Sequence, residues 1–297
     1  MRQRIPWAAL VLVMLTLLGG CGGQPATPEA AAGVARAFMD ARVAGDAGSI
    51  TALLTARAQQ AIPRSLVSRH LERAQVSYGG LGEPSSIEEG VVRIPVRELK
   101  LVEGDRTIQW PERWLTLRYE GERWRVAWVE PLFDEAMEAF MNNMLTDQLE
   151  LGHQIVAIDP YHYRGYLELH FAYRDLQRYR EAEVAIREAL LRATPAEEPD
   201  AYDAMARFKL AIKAPAEALA YARRALELAG PFTPETYPAR WQADTLVVAG
   251  RAALAMGDRA AAEEYASQAA AVDPESAALA IFRHQLAEKP GGPPPAP

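Results

Sequence analysis

The sequence predicts two folded parts in series, an α+β domain followed by an all-α helical solenoid, behind a secretory leader. Three observations predict this. Between Val92 and Trp128, apolar residues recur at every second position, the period of a strand. On either side they recur at three- and four-residue steps, the period of a helix. From Tyr163 onward, one pattern of small and large residues returns three times.

The leader comes first. Arg2 and Arg4 precede an apolar run from Ala8 to Leu18, and Leu18-Gly19-Gly20-Cys21 follows. A charged start, a short apolar core and small residues at the cut are the layout of a secretory signal, here residues 1–20. The core is too short to span a bilayer, which takes about 20 apolar residues. Leu18 to Cys21 resembles the bacterial lipobox. The resemblance implies that Cys21 becomes the first mature residue, carries the lipid and tethers the protein to a membrane outside the cytoplasm. Cys21 is the single cysteine of 297 residues, so the mature chain is held by packing without a disulfide. Residues 21–28, rich in glycine and proline, read as a flexible tether.

Residues 29–131 form the α+β part. Val34, Ala37, Phe38 and Ala41 make one helical face, ended at Gly45-Asp46. Ile50, Leu53, Leu54 and Ala58 make a second, and Pro63 to Arg73 is read as a third helix. Val92, Ile94 and Val96, then Leu115, Leu117 and Tyr119, then Trp124, Val126 and Trp128 alternate with polar residues. This predicts about four antiparallel strands with one face buried and one wet. Turns are expected at Gly79-Gly80, Glu88 to Gly90, Glu103 to Asp105 and Glu120 to Glu122. The phrases Ala37-Phe38-Met39-Asp40-Ala41, Gly45-Asp46, Leu53-Leu54-Thr55 and Gly121-Glu122-Arg123-Trp124-Arg125-Val126 resemble the NTF2-like superfamily. That resemblance implies a cone-shaped sheet whose mouth sometimes holds a ligand. Its enzymes use an aspartate and a tyrosine inside the cone. The residue types on offer are Asp40, Asp46, Tyr78 and Tyr119, with no spacing that picks out a pair.

Residues 132–288 are helical in pattern throughout. Phe133, Met137, Phe140, Met141, Met144, Leu145 and Ile155 keep helical spacing to Asp159-Pro160. This stretch reads either as a degenerate repeat or as a connecting helix, with its methionines in the core. Three copies follow. The first runs from Tyr163, with Ala182 at the small twentieth place and Ala189 at the twenty-seventh. The second runs from Pro199 with Ala218 and Ala225, and the third from Ala243 with Gly250, Ala262 and Ala269. The step from Ala218 to Ala262 is 44 residues, the extra length falling in the proline-rich stretch 230–238. The pattern resembles tetratricopeptide (TPR) repeats. His170 departs from it at the usually small eighth place and is expected to loosen its hairpin. Ala277 to Leu286 reads as a cap helix, and residues 289–297 as a disordered proline-rich tail.

The family lines a concave groove with four places of each first helix. Carried over, these are Arg164, Leu167, Phe171 and Arg174, then Asp200, Asp203, Arg207 and Leu210, then Asp244, Val247, Arg251 and Leu254. The lysine and asparagine set that clamps chaperone tails is missing. Arginines beside apolar residues suit a peptide with acidic and hydrophobic groups, and they equally suit pairing with nearby carboxylates.

Other chemistry is not legible. The histidines at 70, 153, 162, 170 and 284 form no ligand-spaced pair, and no phosphate-cradling loop, dinucleotide fingerprint or serine-nucleophile motif is present, so no metal or cofactor is expected. Residues 22–131 carry 14 basic and 14 acidic side chains, and residues 132–297 carry 16 and 25. An acidic second half argues against nucleic acid. The expected function is therefore non-enzymatic. It is a membrane-anchored lipoprotein of the bacterial cell envelope, acting as a protein-binding adaptor or assembly scaffold through the repeat groove. The rival is a small molecule, bound or turned over, in the NTF2-like cone.

Overall fold

A computed structural model describes residues 26–104, 106–230 and 237–287. The leader, Cys21, the first part of the tether, residues 231–236 and the tail from residue 288 lie outside the described residues.

Four helices open the fold: α1 (Pro28–Ala44), α2 (Ala47–Leu53), α3 (Ala56–Ala61) and α4 (Arg64–Arg73). The Thr27 hydroxyl caps α1 by accepting from the Ala30 N–H at 3.3 Å. Gly45 ends α1 at φ 70°, a left-handed conformation that suits glycine. The Asp46 carboxylate then starts α2, accepting from the Gly48 and Ser49 N–H groups at 3.0 Å each. The second helical face read from the sequence is split in two. Leu54 leaves the helix to bridge to Val126, and the Thr55 N–H donates to the Val126 carbonyl at 3.0 Å.

The strands are β1 (Gln75–Ser77), β2 (Gly80–Leu81), β3 (Ser85–Glu88), β4 (Val91–Glu103), β5 (Arg106–Glu120) and β6 (Arg123–Val126). A long antiparallel β4–β5 hairpin is the spine, with β6 on its far side. The short strands β1, β2 and β3 pair end to end along the other edge of β4. The β4–β5 pairing keeps one register from Val91↔Arg118 to Glu103↔Arg106, with Glu98 of β4 at φ 52°, while β3 shifts its register against β4 between Ser86 and Glu88, as at a bulge. Turns fall at Glu89-Gly90 and Gly121-Glu122 as expected, whereas Gly80 of the expected Gly79-Gly80 turn opens strand β2 and Asp105 lies outside the described residues. The last strand stops at Val126, short of Trp128.

One face of this sheet packs on α1. Phe38, Ile94, Leu117 and Val126 are fully buried, and the Phe38 ring meets Trp128 edge-on at 5.5 Å. The expected wet face is a correction. Val91, Pro95 and Thr116 on the opposite side of β4 and β5 are buried too, Thr116 bonding Asp159 of the solenoid and Pro95 lying close to Gly82.

The helical part runs α5 (Glu130–Met141), α6 (Leu145–Ile158), α7 (Tyr163–Asp175), α8 (Tyr179–Arg192), α9 (Glu198–Ala211), α10 (Pro215–Ala229), α11 (Ala239–Ala255), α12 (Arg259–Val272) and α13 (Ala277–Ala287). Four turns share one geometry. Asn143, Gln177, Lys213 and Gly257 have φ of 56°, 60°, 62° and 84°. Each donates its N–H to the carbonyl three residues back, and the next residue donates five back, as from Met144 to Ala139 and from Arg178 to Tyr173. Such paired bonds satisfy the last carbonyls of a helix and turn the chain sharply. The first of these hairpins is α5–α6, so that stretch is built like the three copies behind it.

Small residues then bring the helices together. Ala182, Ala218 and Ala262 are fully buried, as are Ala189, Ala225 and Ala269. At Gly250 a Cβ would lie 2.5 Å from the Phe282 ring, so this bare backbone is what lets α13 close the stack. His170 does not loosen its hairpin. The ring is fully buried, and its Nδ1 lies 2.9 Å from the Ala182 carbonyl, tying α7 to α8. Leu132, Phe133, Ile155 and Ile158 belong to the same core as α1 and the sheet.

Candidate functional site

The site is best approached from the seam between sheet and solenoid. Arg113 of β5 lies over the Trp110 ring at 4.9 Å and pairs with Glu197 at 3.6 Å, both side chains largely buried. Arg93 of β4 lies over Trp114 at 5.1 Å. From the solenoid, the buried Asp159 carboxyl accepts from the Tyr161 N–H at 3.1 Å and from Thr116. Burial pushes Asp159 up to about 6 and holds His162 well below its ordinary value, helped by the charge of Arg113.

Beside this seam opens a cavity of about 480 Å³ lined by the sheet and by the first helices of successive hairpins. Helix α7 lines it with Arg164, Leu167, Glu168, Phe171 and Arg174, and α9 with Asp200, Asp203 and Arg207. The helical period places these residues on one face of each helix. Seven of the twelve groove residues named from the sequence meet here: Arg164, Leu167, Phe171, Arg174, Asp200, Asp203 and Arg207.

The remaining five do not line it. Asp244 accepts from the Ser276 hydroxyl at 2.9 Å. Leu210 and Leu254 are half-buried against the later hairpins. Val247 is buried with 1% exposure and presents no surface to a ligand, because α11 turns it toward α13 and its neighbours. Arg251 is half-buried with its Nε unpartnered, and burial followed by the charge of Arg207 lowers its pKa.

Charges in the cavity are mostly paired. Arg174 bonds Asp175 at 2.7 Å, and Arg207 bonds Asp203 at 2.7 Å. Asp203 also accepts from the Thr245 hydroxyl at 3.0 Å. Burial pushes Asp200 up to about 6 and raises Glu168. Arg164 lies over the Phe133 ring at 4.5 Å and has no carboxylate within ion-pair distance among the described residues.

Several lining residues escaped the sequence reading. Trp110 and Arg113 come from the sheet, Met137 and Phe140 from α5, and Gln148 from α6. The methionine stripe is not core, a further correction. Met137, Phe140, Met141 and Met144 are 48%, 44%, 71% and 42% exposed. Met137 and Phe140 of α5 line the cavity, and Met141 and Met144 follow them in the chain as exposed apolar side chains.

In the first domain, Tyr78 and Asp40 do meet. The Tyr78 hydroxyl donates to the Asp40 carboxylate at 2.8 Å. The pair sits at the outer edge, while the sheet's inner side is filled by Phe38, Trp128 and their neighbours. Among the described residues, no group of histidine, cysteine and carboxylate side chains is arranged to hold a metal ion. No described helix is long and apolar enough to cross a membrane.

No known family's profile matches the chain, and no curated protein is similar to it. Among solved structures, MamA is similar at 17% identity and a TM-score of 0.40, over 50% of this chain and 75% of MamA. The APC/C hetero-tetramer Cut9–Hcn1 gives 13% identity and a TM-score of 0.45, over 54% of this chain and 30% of that one. YrrB, described as a TPR protein with an unusual peptide-binding site, gives 20% identity and a TM-score of 0.31, over 54% and 93%.

Proposed function

We propose that this chain is a lipid-anchored protein of the bacterial envelope that recruits a protein partner to the concave face of its helical repeats. One observation carries the reading: two consecutive hairpins send Leu167, Phe171, Arg164, Arg174 and Arg207 into a single open cavity. Apolar floors with flanking arginines favour a peptide that brings both hydrophobic and acidic groups. The hairpins are read as tetratricopeptide repeats on the strength of their alanine register and shared turns. The helix-backed sheet is read as an NTF2-like domain that spaces the repeats from the membrane. The described residues lining the cavity include no serine, cysteine, lysine or histidine, and the role proposed is binding rather than catalysis. The rival, a ligand inside the first domain, has the close packing of Phe38 and Trp128 against it.

In-cell crosslinking and mass spectrometry test the docking. A partner captured by wild type is expected to be lost from a folded Arg174→Glu, Arg207→Glu double variant; equal capture by both sinks the reading. The anchor is tested apart from it. Cys21→Ser is expected to move the protein from the membrane fraction to the soluble one, and unchanged fractionation would refute the lipid.

A further inference from the structure

The cavity holds a polar group that packing alone does not explain. Gln148 is 1% exposed, and its Oε1 has no hydrogen-bond partner. Its Nε2 lies 3.4 Å from Glu168, a long bond. Gln148 stands 34 residues before Ala182, at the place where the other hairpins keep Ala182, Ala218 and Ala262. Alanine is all that close helix approach asks for there. A buried amide oxygen left without a donor is destabilising, since it has given up water for nothing. The donor it lacks is one that every residue of a peptide main chain supplies, except proline.

A second polar group points the same way. Arg113, Arg174 and Arg207 are paired with Glu197, Asp175 and Asp203, whereas Arg164 has no carboxylate at ion-pair distance among the described residues. Exposed apolar residues give the size of the occupant. Met137 and Phe140 line the cavity, and Met141 and Met144 follow them in the chain. A small molecule filling the cavity would leave those two in water, while a longer chain covers them. Flexible methionines adapt to such a surface. Glu168 and Asp200 in the same wall disfavour a polyanion and leave room for a single carboxylate among apolar groups.

We propose that the junction between the sheet and the first two hairpins is a composite peptide pocket. It takes one large apolar side chain of a partner segment, whose main-chain N–H bonds Gln148 and whose neighbouring carboxylate pairs with Arg164. The proposal rests on the docking reading above and deepens it, because it extends the specific contacts beyond the groove arginine Arg164 to Gln148 and the sheet residue Trp110.

The test is a selection of a displayed random-peptide library on the full-length chain in detergent micelles, followed by titration of the best synthetic peptide. Enriched peptides are expected to pair a large apolar residue with an adjacent aspartate or glutamate. Binding is expected to weaken by about tenfold or more in Gln148→Met, in Arg164→Met and in Trp110→Ala. Full binding by folded Gln148→Met and Arg164→Met, with loss in the Arg174→Glu, Arg207→Glu variant, overturns this inference and leaves the docking reading standing. No enrichment at all sinks both. Laurate competing with the peptide at similar affinity, and sensitive to the same variants, assigns the cavity to a small amphiphile and overturns the peptide claim.

Discussion

His170 is neutral in the folded protein because it is enclosed. Its Nδ1 bonds the Ala182 carbonyl, its ring edge meets Phe208 at 5.3 Å, and burial lowers its pKa to about 4. The unfolded ring titrates near its ordinary value of about 6.5. Between those values only the unfolded chain takes up the proton. This group's contribution to stability is therefore complete above about pH 6.5 and drains away as the pH falls toward 4. Asp159 and Asp200, pushed up to about 6, act oppositely, since the folded chain binds their protons first. A difference measurement isolates the histidine. Urea unfolding of wild type and His170→Asn is expected to show the wild-type advantage shrinking by about 2 kcal/mol from pH 7 to pH 5; a constant gap would refute the neutral ring. Composition could announce a histidine in an alanine's place, but not that its second nitrogen would find a carbonyl. Gln148 was illegible for the same reason. The repeat register shows where a residue sits, while an unmet hydrogen bond exists only in three dimensions.

At the scale of elements, the helices and strands were readable where one surface of each decides the pattern. Val92, Ile94 and Val96 alternate because α1 covers their side of β4. The same alternation marks Val91 and Pro95 as facing away, and is silent on what lies over them. That is why a half-wet sheet was expected and a sheet partly covered on its second face was found. Met137 and Met141 failed in the opposite direction. Helical spacing puts them on one face, and chemistry suggested burial, yet no neighbour arrives to bury them. Glycines at helix contacts allow a sharp comparison. Gly250→Ala drives a methyl group into Phe282 and is expected to cost about 1–3 kcal/mol, read as a lower melting temperature. Gly33→Ala, within α1 and with nothing within 4 Å of the added carbon, is expected to stabilise by about 0.5–1 kcal/mol. Equal effects from the two would contradict the close approach of α13 to α11.

At the scale of the molecule, the arginines of the β4–β5 hairpin join the two halves. Arg113 is buried against Trp110 and Glu197, so removing the carboxylate strands a charge away from water. Glu197→Ala is expected to lower stability by about 3 kcal/mol, and the paired change Arg113→Met with Glu197→Met to recover much of it. A double variant no better than the single would show that the ion pair is not what the seam depends on. Leu132, Phe133, Ile155 and Ile158 complete the connection by sharing the first core. The chain reads as two units in tandem, and tandem units are usually the currency of gene shuffling, cut at a linker and rejoined to new neighbours. Here the outer wall of one unit is the inner wall of the next. A cut after Pro131 would bare a strand face with Trp114 and two arginines on one piece and a headless stack of helices on the other. The sheet end of the stack is therefore closed to such exchange, and this pair of units is inherited whole.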